Sequence, residues 1–261
     1  MIASGRAGDG LRLAVTLLTV IPVRTERTDR VDHVDRASAG WAMTFAPLAG
    51  VIVGGAAALV LYAGDLAGFG SLLSAGLAVA VMAVLTRGLH LDGLADVADG
   101  LGGGRRAAEA LAIMKKSDIG PFGVITLALT LLIQVAALTE LPAVAVIVAA
   151  VTGRLAVTWA CRVGVPAARP DGLGALVAGT VPAAHAAYAT GAVVIASAGA
   201  GLAVGGVRLA VLWPVAAGAG LVVAMAARRV AVRRLGGITG DVLGALVELA
   251  ATVVLLVAAV R

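Results

Sequence analysis

The sequence predicts an all-α, polytopic transmembrane helical bundle of about seven spans, with an N-terminal interfacial or re-entrant segment. Three observations predict it. Hydrophobic residues make up 61% of the 261 positions and charged residues 13%, about half the usual globular fraction of charge. Apolar runs of about 18 or more residues recur, the length needed to carry a helix across a bilayer. Lys and Arg collect in alternate connections between those runs. A soluble all-α protein with a very apolar core is the alternative, and the repeated long runs argue against it.

Taken in order, residues 1–41 form a polar arm apart from LRLAVTLLTVIPV (Leu11 to Val23). That run is short for a span and contains Pro22, which fits an interfacial or re-entrant segment better. No small-residue cleavage pattern follows it, so it does not read as a cleavable signal. Spans are expected at about 42–63 and 70–89, the first carrying a small-xxx-small pair, Gly50 and Gly54. Between the second and third spans, RRAAEALAIMKK places Ala107, Ala110, Leu111 and Met114 on one face of a short surface helix. The third span runs from Pro121 to about Thr139 and the fourth over about 142–161. A long polar connection, 162–185, precedes spans five (186–206) and six (209–227). A basic, glycine-rich loop then leads to the last span at about 241–260.

The whole chain reads as one catalytic membrane domain, 1–261. Basic residues crowd the N-terminal arm and the connections at 101–120, 162–185 and 228–240, while the opposing connections carry a single Arg. The positive-inside rule makes the basic set cytoplasmic. A net charge of +5 is then explained by orientation and anionic headgroups or phosphates, with no nucleic acid as a partner. The single Cys161 excludes an intramolecular disulfide and a cysteine metal cage.

The chemistry is expected in GLHLDGLADVADGLGGGRR, Gly88 to Arg106. Only 15 residues in the chain are acidic, and Asp92, Asp96 and Asp99 fall within eight positions. On a helix their spacing gathers them within about 60° of one another. Like charges on one face call for a cation, and carboxylates beside glycines suit Mg²⁺ held together with phosphate oxygens. His90 is a candidate for phosphate contact or acid–base chemistry, or for a structural hydrogen bond. Lys115, Lys116 and Ser117 are candidate phosphate contacts, and Asp118 could complete the metal set, just ahead of a helix start at Pro121.

A third element, Arg233, Arg234, Gly236, Gly237, Thr239 and Asp241, combines arginine forks with glycines that expose backbone N–H groups. Glu248 shares a face with Asp241 two turns into apolar sequence, where an unpaired carboxylate is costly. Arg154 or another base is its expected partner. Together these features describe a membrane enzyme that grips Mg²⁺ and a phosphate or diphosphate at its cytoplasmic face. The acceptor is not readable from spacing. A transporter would scatter ionisable groups at mid-membrane depth instead.

HLDGLADVADG (His90 to Gly100) resembles the signature of the cobalamin (5′-phosphate) synthase family, adenosylcobinamide-GDP ribazoletransferase. IMKKSDIGPFG (Ile113 to Gly123), GLGALVAG (Gly172 to Gly179) and LGGITGDVLGALVEL (Leu235 to Leu249) continue the resemblance in order. It implies Mg²⁺-dependent transfer of α-ribazole or its 5′-phosphate onto adenosylcobinamide-GDP, with release of GMP. It also implies an inner-membrane protein; whether that protein forms a homo-oligomer or associates with other cobalamin-assembly enzymes is not readable from the sequence. Lys115 stands where the family pattern has arginine, keeping the charge without the fork. Asp96, Asp99 and Gly100 also match the opening of the CDP-alcohol phosphotransferase motif. That motif then fails, with Gly103 and Gly104 in place of alanine–arginine and Phe122 in place of a further aspartate.

Overall fold

A computed structural model of the chain describes residues 2–23 and 35–260. The middle of the expected N-terminal arm, 24–34, lies outside the described residues. The described chain is helical, with α1 (Ile2–Leu18), α2 (Arg36–Thr44), α3 (Ala46–Leu66), α4 (Ser71–Leu85), α5 (Leu89–Gly102) and α6 (Ala107–Ile113). There follow α7 (Pro121–Leu138), α8 (Ala145–Ala160), α9 (Gly172–Val177), α10 (Ala183–Leu235) and α11 (Gly240–Ala258).

The two most enclosed helices, α8 and α11, lie against each other at the centre. Small residues let the backbones approach. A Cβ on Gly50 would stand 2.6 Å from the Ala150 carbonyl oxygen, and one on Gly54 would stand 2.7 Å from Ile147 Cα. The expected small-xxx-small pair is thus the α3–α8 contact. Such contacts suit a bilayer, where dispersion and close fit replace a hydrophobic drive between helices. The outward faces are apolar, with Leu59, Leu72, Leu132, Ile195 and Val222 among the exposed side chains. A surface of this kind belongs in lipid. The chain is a polytopic helical membrane protein.

Element boundaries differ from expectation where local chemistry breaks a run. The first span begins at Ala46, not at 42, because Pro47 in the first turn of α3 cannot continue the hydrogen-bonding of α2. The first part of the 11–23 segment, up to Leu18, belongs to a helix that starts at Ile2 and packs Leu18 on Ala46 and Ala49, while residues 19–23 lie beyond its end. The second run ends at Leu85. Arg87 (φ 53°) and Gly88 (φ 68°) then turn left-handed, and α5 leaves at 88° to α4. Runs five and six form one long α10 that folds back at Gly205 and Gly206. Beyond the break, Leu209 packs on Gly201, and Ala217 joins Val193 deeper in the hairpin.

By length and composition, four described helices can cross a membrane (α3, α7, α10 and α11), or five if α4 and α5 count together. Each of the seven apolar runs is helical. Yet α8, with 16 residues, reaches only about 24 Å, short of a hydrocarbon core of about 30 Å.

Candidate active site

The bend after α4 lays α5 across the N-terminal end of α11. The two helices meet backbone to backbone: a Cβ on Gly93 would stand 2.5 Å from the Asp241 carbonyl oxygen, and one on Gly244 would stand 3.1 Å from His90 Cα. This contact puts the acidic face of α5 beside the first turn of α11. Asp92 is exposed and Asp96 half-buried. Asp96 feels Asp92, Asp241 and Asp99 as like charges and Arg169 as the opposing one. Arg169 reaches in from the connection after α8, with Nη1 3.8 Å from Asp241 Oδ2 and Nη2 donating to the Leu111 carbonyl at 2.6 Å. Thr239 caps α11 by accepting from the Val242 N–H at 3.2 Å, and its hydroxyl donates to Asp241 Oδ2 at 3.2 Å.

Asp99 has a different position. It is buried, and its two oxygens accept from the Gly120 N–H at 2.7 Å and the Gly123 N–H at 3.0 Å. The carboxylate satisfies two unpaired amides at the start of α7 and complements the positive end of that helix. A Cβ on Gly120 or Gly123 would run into it. Three aspartates that share one helical face are therefore divided: Asp92 and Asp96 look onto the polar surface, and Asp99 ties α5 to α7.

Beneath this face lies a buried polar chain across four helices. Arg154 Nη2 on α8 is 3.2 Å from His90 Nδ1 on α5. A guanidinium can only donate, so Nδ1 accepts and the proton of a neutral imidazole sits on Nε2. Glu248 on α11 accepts from Gln134 Nε2 on α7 at 2.9 Å, and the same nitrogen reaches Thr252 Oγ1 at 2.9 Å. Arg154 and Glu248 attract each other electrostatically, without a close ion pair among the described residues.

Residues 10–259 match the family described as cobalamin-5-phosphate synthase (CobS). The chain belongs to this family. Adenosylcobinamide-GDP ribazoletransferase of Frankia casuarinae is 45% identical over 95% of this chain and 93% of its own length. The proteins of the same name from Bradyrhizobium diazoefficiens and Nocardioides sp. are each 40% identical, over 95% and 97% of this chain and 92% and 99% of their own. No solved structure matches. Like its relatives the chain is an enzyme, a transferase.

Within this cobalamin-5-phosphate synthase framework the remaining expected residues are spread along the polar end. Lys115 pairs with Asp171 at 3.4 Å on the surface, which also joins the α6–α7 turn to the start of α9. Lys116, Ser117 and Asp118 are exposed in that turn, and Asp118 is not among the charges acting on Asp96. Arg234 donates to the Arg105 carbonyl at 3.4 Å, while Arg233 faces a groove with Arg228 and Arg229. The glycine-rich loop is more occupied than an open anion cradle. The Gly236 N–H closes α10 onto the Val232 carbonyl at 3.0 Å, and the Ile238 N–H donates to the Pro166 carbonyl at 2.9 Å. Gly237 meets the Ala167 backbone, where a side chain would not fit.

Two residues of this constellation escaped sequence reasoning. Arg169 stood in the longest polar connection, with nothing local to single it out. Gln134 carried a usable signal, a lone amide inside an apolar helix.

Proposed function

We propose that this protein transfers α-ribazole or α-ribazole 5′-phosphate onto adenosylcobinamide-GDP, releasing GMP and forming adenosylcobalamin or its 5′-phosphate. The observation that carries this reading is the joint acidic face of Asp92, Asp96 and Asp241 with Arg169 at its edge, in a chain 40–45% identical to ribazoletransferases over nearly its full length. The reaction makes a phosphodiester. A ribazole hydroxyl oxygen attacks the phosphorus that bears the cobinamide arm, the bond from that phosphorus to the bridging oxygen breaks, and GMP leaves with that oxygen.

Among the described residues no group of three His, Cys, Asp or Glu side chains is placed to hold a metal by itself. Mg²⁺ does not need such a cage, since one or two carboxylates plus waters and substrate phosphate oxygens suffice. The excess of negative charge around Asp96, only partly offset by Arg169, fits that demand. One or two of Asp92, Asp96 and Asp241 would hold the ion together with water and phosphate oxygens, and Mg²⁺ when bound supplies charge neutralisation at the diphosphate. Asp99, with both oxygens engaged, serves the frame, and Asp118 stands apart as a candidate outer contact. Arg169 screens the acidic face and is positioned for a phosphate. Asp96, half-buried among like charges, is the best-placed acceptor for the hydroxyl proton. His90, enclosed with Arg154, positions α5. Catalysis on this account is orientation and electrostatics, as in other phosphoryl transfers.

The basic connections orient this face toward the cytoplasm of an inner membrane. The direct test supplies purified protein in lipid with Mg²⁺, adenosylcobinamide-GDP and α-ribazole 5′-phosphate. GMP and one corrinoid product should appear in equal amounts. Absence of both, from protein that keeps its helical signal, would refute the assignment.

A further inference from the structure

On the polar end, beside α10, lies a second, basic site, separate from the acidic face. Arg162, Arg228, Arg229 and Arg233 line a groove of about 290 Å³, floored by residues 163–166. Two of these guanidinium groups are held in place: Arg228 Nη1 donates to the Trp159 carbonyl at 3.0 Å, and Arg162 lies 5.4 Å from the centre of the Trp159 ring. Arg162 and Arg229 both repel Arg228. The two ion pairs formed among the described residues involve none of the four. None of them is among the charges acting on Asp96 or Asp241. The fold thus keeps like charges together, apart from the acidic face, and among the described residues no ion pair to a carboxylate is formed by any of the four.

We propose that this groove binds a phosphate-bearing anion, and that its source is the headgroup of an anionic membrane phospholipid. Arginine forks recognise phosphate oxygens in a bidentate way, and several together recover the cost of their mutual repulsion once an anion enters. The surroundings select a lipid over a soluble ligand. Val163 lines the groove, and Val222 and Val230 share α10 with three of its arginines; they are 61%, 69% and 48% exposed, apolar surface on which acyl chains can lie. The half-buried Trp159, with its indole N–H on Thr190 Oγ1 at 2.9 Å, suits the headgroup level of a bilayer.

The test uses full-length protein prepared in mixed phosphatidylglycerol and phosphatidylcholine, delipidated stepwise and weighed by native mass spectrometry. Wild type should retain phosphatidylglycerol over phosphatidylcholine by about tenfold, the scale expected from one or two arginines near an anionic surface. Arg162→Gln/Arg229→Gln should lose that preference while its transfer rate in pure phosphatidylcholine stays unchanged. Arg229→Gln alone, at an exposed position, should show a partial loss and guards against misfolding of the double variant. A parallel arm measures inorganic phosphate binding in phosphatidylcholine. Arginine-dependent phosphate binding without lipid preference would keep the anion chemistry but overturn the lipid source. Equal lipid retention by wild type and variants, with no phosphate binding, would overturn the site. Loss of transfer in neutral lipid would assign the groove to the reaction and overturn its independence.

Discussion

At the scale of single residues, the structure separates aspartates that the sequence groups. A 3.6-residue period shows that Asp92, Asp96 and Asp99 share a face. It cannot show that Asp99 meets the amides of Gly120 and Gly123, more than 20 residues away. The separation has a measurable consequence. Asp99→Ala removes two charge-assisted hydrogen bonds and strands two amides, which should lower stability by about 3 kcal/mol. Unfolding in mixed micelles reads this, and unchanged stability would return Asp99 to the metal-binding face. Glu248 was legible as a carboxylate facing the interior, because apolar sequence leaves it no other tolerable place. Its partner was not. The near neighbour within hydrogen-bonding distance is Gln134, with Arg154 further off.

At the scale of elements, apolar runs give the helices and leave their breaks open. Hydropathy sees one continuous run through 70–89, while the chain turns by 88° after α4. The turn rests on two left-handed residues, Arg87 and Gly88, and only glycine advertises that conformation in sequence. This bend sets the α5–α11 contact and with it the distance between Asp92, Asp96 and Asp241. Gly93→Ala should therefore act at a distance from substrate. Its methyl would meet the Asp241 backbone at 2.5 Å and push the two acidic elements apart. Misplacement of about 1 Å can cost a hundredfold in rate, so turnover should fall by about that factor while the protein still inserts. Near-normal turnover would mean that the α5–α11 spacing does not define the site.

At the scale of the whole molecule, the helical membrane class was plain from composition, and the surrounding lipid explains why. Every outward face must be apolar, so the sequence reports the environment directly. Orientation follows from loop charge and can be checked with one pair of variants. Cys161 is buried and gives a silent background. A thiol at Lys116→Cys should react with an impermeant reagent only from the cytoplasmic side, and one at Asp65→Cys only from the other side. Labelling of both from one side would break the proposed topology. What composition could not reveal is which polar groups converge, since that depends on helix crossings set by individual glycines.

The central claim is that the acidic face shared by α5 and α11 carries the transfer. Its most direct measurement is GMP release by Asp92→Ala and Asp96→Ala, made in the same lipid and assayed for unfolding beside wild type. Both variants should unfold like wild type and release no GMP above background, whatever the Mg²⁺ concentration. Release near the wild-type rate from both stably folded variants would contradict the account and place the reaction elsewhere on the polar end.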